Sequence, residues 1–182
     1  DATALARREN DGSRTVAKQP RGRAIVRVEV AREDLGSHDQ HVDNLDHAGR
    51  AALATAPVVL TTTSAHARLG ADATLPVATV ALEPWTATEL ARPAGPPLRI
   101  TAVPARHGPD GTEHVTGEVT GFVLEAADGP TVYVSGDNAS LGVVQRVGAR
   151  FPTIDVALLF VGAARTALLG DANLTLTSDQ AV

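Results

Sequence analysis

The sequence contains no cysteine. Disulfides, thiolate metal sites and cysteine nucleophiles are therefore excluded, and any metal must be held by nitrogen and oxygen donors. Methionine is absent too, even at position 1, which points to a fragment or a processed product. Aromatic residues make up only 3% of the chain, with one tryptophan, Trp85, and one tyrosine, Tyr133. Lysine is almost missing: of 16 basic residues only Lys18 is not arginine. With abundant alanine, glycine and proline, that bias points to a high-GC bacterial gene. No apolar run approaches the ~20 residues needed to cross a bilayer, and no signal-peptide pattern opens the chain. No membrane association is expected, and the cytoplasm is the expected location. A net charge of −5 offers no basic stripe, so nucleic acid is not an expected partner. What remains is 182 residues, 43% hydrophobic, enough for one domain with a core of its own.

Residues 1–22 are polar, charged and without apolar periodicity, and read as a loose tail. From residue 23 to 182 the pattern is that of one layered α/β domain. Strands are expected at "AIVRVEV" (24–30), "VVLTTT" (58–63), "VATVALE" (77–83) and "LRITAVPA" (98–105). Helical stretches are expected from Leu45 to about Thr55 and over "AHARL", capped by Ser64 and stopped by Gly70. "TGFVLEA" and "TVYVSG" flank "ADGP", a hairpin signal, because Asp-Gly readily adopts tight-turn angles. Residues 139–150 form an amphipathic pattern with Leu141, Val144 and Val147 on one face. The run "IDVALLFVG" (154–162) has the composition of a strand buried on both faces. A last helix is expected after a cap at Ser178 or Asp179, which the chain end would leave incomplete.

Three of the six histidines and three aspartates crowd into "SHDQHVDNLDH" (37–47). Neutral imidazole and carboxylate suit borderline cations, so His38, His41 and Asp43 are candidate metal ligands. The plainer alternative is a solvated loop whose aspartates form turns or cap a helix. His107, in "TAVPARHGP", and Asp137, in "VYVSGDN", each follow an expected strand, where α/β folds place reactive groups. Taken singly, His107 reads as a structural histidine and Asp137 as the cap of the following helix. Other residues carry weaker signals. His47 is a candidate for supporting a ligand, His66 for an exposed helix and His114 for a loop at the pocket mouth. Ser135 is no nucleophile, since "VSGD" lacks the glycine two residues before the serine. Trp85 reads as a packing anchor, and "LGD" at 169–171 as a turn.

"SHDQHVDNLD", "TAVPARHGP", "VYVSGDN" and "VALLFVGAAR", in this order, resemble the metallo-β-lactamase-fold hydrolases, nearest the bacterial lactonase-like branch. The likeness runs from about Leu35 to the C-terminus; upstream, "AREDLG" departs from the apolar strand the family has there. It implies a four-layer αββα sandwich, here incomplete at both ends. It also implies that His38, His41 and His107 hold one divalent ion, with Asp43 on a second and Asp137 bridging the two. The family's signature is His-x-His-x-Asp-His. This chain has one extra residue between His38 and His41, and Asn44 where the last histidine should stand. An amide oxygen is a poorer zinc ligand than imidazole, so one firmly bound ion is expected, zinc first and manganese or iron(II) next.

The implied activity is hydrolysis of a lactone, ester or phosphoester, a small-molecule substrate, by a metal-activated water. Asp43 would be the catalytic residue that orients that water or moves its proton. The competing expectation is a truncated or degenerate relative that binds a metal or small ligand and catalyses nothing. Assembly as a homo-oligomer stays open.

Overall fold

The computed structural model describes Arg27–Val28, residues 51–71 and residues 77–182. The expected tail at 1–22 and the crowded window at 37–47 lie outside the described residues. Two sheets organise the rest. The first is parallel throughout, in the order β1 (Arg27–Val28), β2 (Val59–Thr61), β3 (Thr79–Ala81). Helix α1 (Thr63–Ala71) links β2 to β3, and residues 51–53, just before β2, are also helical. The second sheet takes its strands in sequence order. These are β4 (Ala87–Leu90), β5 (Leu98–Pro104), β6 (Thr120–Glu125), β7 (Val132–Val134) and β8 (Val156–Leu158). Its first three pairings are antiparallel, and β8 runs parallel to β7 through the crossover helix α3 (Leu141–Arg150). A single helical turn, α2 (Glu113–Thr116), lies between β5 and β6.

Alternation along the strands decides the layers, because successive side chains point to opposite faces. Val58 and Leu60 face Leu90, Ile100, Ala102 and Phe122, forming the core between the sheets. Val59, pointing the other way, meets Leu53 and Leu69 from the helical side. Val103, Val123 and Tyr133 turn outward beneath Val143 and Val147 of α3. The result is helix, sheet, sheet, helix: the αββα sandwich expected from the resemblance. Each fully buried large apolar side chain, such as Phe122 or Ile100, contributes roughly 1.5–3 kcal/mol.

Several local expectations change. Helix α3 begins at Leu141, capped by Ser140, whose hydroxyl accepts from the Val143 amide. Its buried face is Val143 and Val147, one turn apart, while Leu141 is 38% exposed. A helix lying on a sheet buries i and i+4, and that pairing places Leu141 on the flank. Helix α1 is capped by Thr62, whose hydroxyl accepts from Ala65, and it runs one residue past Gly70. The terminal turn is a 3₁₀ helix, Ser178–Ala181, capped from Thr177. The run 154–162 is not buried on both faces. Strand β8 ends the sheet order, and Val156 and Leu158 are 42% and 52% exposed; only Ile154 and Leu159 reach the core under α3. No helix of the described residues is long and apolar enough to cross a membrane.

Candidate metal centre

Strand directions gather the candidate positions on one rim. Strands β5 and β7 are each antiparallel to β6, so their C-terminal ends leave the sheet on the same side, and β8 follows β7. His107 comes three residues after β5, and Asp137 three residues after β7. The first sheet exits there as well. The amide and hydroxyl of Ser64, just past β2, both donate to Glu118, just before β6, at 3.1 and 2.7 Å. Strands β1, β2 and β3 are mutually parallel, so all of them point to the rim where β5, β7 and β8 end. Open α/β sheets bind ligands outside the carboxyl ends of their strands.

Gly121 permits the close approach of β5, β6 and β7 at this edge. A Cβ there would sit 2.8 Å from the carbonyl oxygen of Val134 and 2.9 Å from that of Ser135. Gly108, immediately after His107, has φ +97, a backbone state that side-chain-bearing residues rarely adopt. The chain turns there beneath Leu174 and Thr112.

His107 is 3% exposed, and its Nδ1 lies 2.7 Å from the main-chain oxygen of Leu174. A carbonyl oxygen only accepts, so Nδ1 carries the proton and donates. In the neutral ring Nε2 is then the nitrogen with the lone pair. This is the arrangement that fixes the tautomer of a ligating imidazole, so the donor fits a metal. Asp137 is half-buried. It is not the cap of α3, because Ser140 fills that role.

Between them sits Asn138, fully buried. Its side-chain oxygen accepts from the amides of Arg106 (3.1 Å) and Ser140 (3.2 Å), and its amide group donates to the oxygen of Ser140 (2.9 Å). The Ala139 amide also donates to the oxygen of Arg106, at 2.6 Å. The loops bearing His107 and Asp137 are thus joined directly. Sequence patterns did not single out Asn138, because an asparagine after Ser-Gly-Asp reads as a turn former.

The remaining candidates separate clearly. His38, His41, Asp43, Asn44 and His47 lie outside the described residues, and among the described residues no group of three potential ligands forms. Ser135 is buried, its hydroxyl donating to the oxygen of Gly136 and accepting from the Phe160 amide, which leaves no role as nucleophile. His66 lies on α1 but is half-buried, its Nδ1 2.7 Å from the hydroxyl of Thr79. His114 is exposed on α2. Trp85 packs against the core under α3 with the Arg150 guanidinium 5.1 Å above its ring, the anchor expected of it.

A family model described as "Beta-lactamase superfamily domain" matches residues 24–182. The chain belongs to the beta-lactamase superfamily. Among solved structures, this superfamily member is similar to an isothiocyanate hydrolase from Delia radicum gut bacteria. The identity is 21% and the TM-score 0.58, over 78% of this chain and 52% of that one. It is also similar to "a possible metal-dependent hydrolase" from Veillonella parvula DSM 2008. There the identity is 18% and the TM-score 0.63, over 85% of this chain and 54% of that one. At these identities the likeness establishes the shared fold, and the chain spans about half the length of the structures it matches. No curated protein sequence matches the chain.

Proposed function

We propose that this superfamily member is a metal-dependent hydrolase acting on a lactone, ester or phosphoester. The observation that supports the proposal is the His107–Leu174 hydrogen bond, which places the ring proton on Nδ1 of a buried histidine, so that Nε2 would be the metal donor on the rim that also bears Asp137. His38, His41 and His107 would hold the ion, with Asp43 and Asp137 completing the donor set. A divalent cation held there would lower the pKa of a bound water toward neutrality and polarise the substrate's carbonyl or phosphoryl oxygen. Asp43 would accept or orient the proton of the attacking water, and Asp137 would position that water. Both are carboxylates, the acceptor class such a step needs. Asn44 in place of a second-site histidine favours one ion over two, with zinc ahead of manganese and iron(II).

Metal analysis of the full-length protein tests this. About one equivalent of divalent metal is expected, lost in His41→Ala and His107→Ala, together with esterase or lactonase turnover abolished by chelation. A metal-free protein, or metal content untouched by both substitutions, overturns the proposal. One equivalent of metal without turnover on any of the three substrate classes would favour a non-catalytic, metal-binding relative.

A further inference from the structure

Leu174, His107, Arg106, Asn138 and Leu176 form a closed circuit of hydrogen bonds through three separate chain segments. His107 donates from Nδ1 to the oxygen of Leu174, and the preceding residue, Arg106, donates its amide to the Asn138 side chain. The main-chain oxygen of Asn138 in turn accepts from the amide of Leu176, at 2.9 Å, two residues beyond Leu174. We infer that Asn138 is a positioning residue for the metal centre, holding the His107 loop, the Asp137 turn and the 174–176 segment at one fixed spacing. The inference rests on the metal-site reading above.

The chemistry of the amide explains why an asparagine stands here. Its oxygen meets two main-chain N–H groups and its nitrogen meets one carbonyl, all away from water. An aspartate would satisfy the two donors but set a charge against the oxygen of Ser140. An alanine would leave the Arg106 and Ser140 amides without their acceptor, at about 1–3 kcal/mol for each unmet group, while the Ser140 oxygen keeps the Val143 and Val144 amides. Asn138 touches the backbone at Arg106, just before His107, and at Gly136, just before Asp137, and has no part in the reaction itself. Its effect therefore passes through the geometry of His107 and Asp137. Loss of such a support typically weakens metal binding by roughly 10–100-fold.

The test measures cobalt(II) affinity and the cobalt absorption spectrum of the full chain. Wild type is compared with Asn138→Ala, and with Val147→Ala as a control that loosens the core under α3 without touching the circuit. Asn138→Ala is expected to lose at least tenfold in affinity with an altered spectrum, and the control to stay within twofold. Equal affinity in Asn138→Ala and wild type overturns the inference while leaving the metal site standing. A wild type that binds no cobalt overturns both. Should Asn138→Ala fail to fold, amide exchange in the wild type decides, because coupling between two events is reciprocal. Cobalt is then expected to slow exchange at the Arg106, Ser140 and Leu176 amides beyond its effect on the sheet amides of Leu124 and Tyr133. Equal slowing at both sets overturns the inference.

Discussion

The Nδ1 atom of His107 lies 2.7 Å from the main-chain oxygen of Leu174, 67 positions later in the chain. The fold therefore holds the imidazole proton on Nδ1. In the metal-free protein, two-bond nitrogen–proton correlations should report the Nδ1–H tautomer at neutral pH. A proton found on Nε2 instead would remove the lone pair from the rim and count against His107 as a ligand.

Gly121→Ala tests the close approach at the same edge. The added methyl group would press on the carbonyl oxygens of Val134 and Ser135, which are backbone and cannot swing aside. A stability loss of about 1–3 kcal/mol is expected from such overpacking, measured by urea unfolding. Metal affinity should fall with it, since β7 delivers Asp137.

Tyr133 gives a pH signature independent of the rim. Its ring is buried and its hydroxyl has no hydrogen-bond partner among the described residues, and burial pushes its pKa up from 10.0 to about 12. Ionisation is harder in the folded state than in the unfolded one, so the stabilising difference is whole below pH 10. It is lost as the pH climbs from 10 toward 12, amounting to about 3 kcal/mol. Tyr133→Phe should remove that alkaline decline. It should also add roughly 1 kcal/mol at neutral pH by deleting an unpaired buried hydroxyl. Urea unfolding at pH 7, 10 and 11 would show both effects.

Helix α3 separates what periodicity says from what packing decides. Val147→Ala should cost about 2 kcal/mol, a large-to-small change under a helix. Leu141→Ala should change stability by no more than about 0.5 kcal/mol, as surface substitutions do. Thermal or urea unfolding of the two variants would invert the order that side-chain size alone suggests for two residues the sequence pattern sets on one face.

That inversion shows where local signals stop. The hairpin around "ADGP" and strand β5 were legible because turn chemistry and alternation are both local. Strand β4 was not: in "ATEL" Thr88 and Leu90 are the buried pair, and a buried threonine reads as polar. At the candidate site, His107 and Asp137 could be placed from strand ends. Asn138 could not, because its partner Arg106 is 32 positions away and nothing in either neighbourhood announces the pairing. The window holding His38, His41 and Asp43 lies outside the described residues, and its place in the site stands as proposed.

The hydrogen-bonded circuit joining Arg106, Asn138 and Leu176 also bears on when a metal ion held at the proposed site would act during folding. Arg106 and Asn138 are 32 positions apart, so the circuit is complete only in the folded chain. Ion binding should leave the refolding rate unchanged and slow unfolding, by about 100-fold at a hundred times the dissociation constant. Stopped-flow unfolding with and without zinc would reveal it. The ion would act as a latch on the finished fold, lengthening its lifetime without guiding its formation.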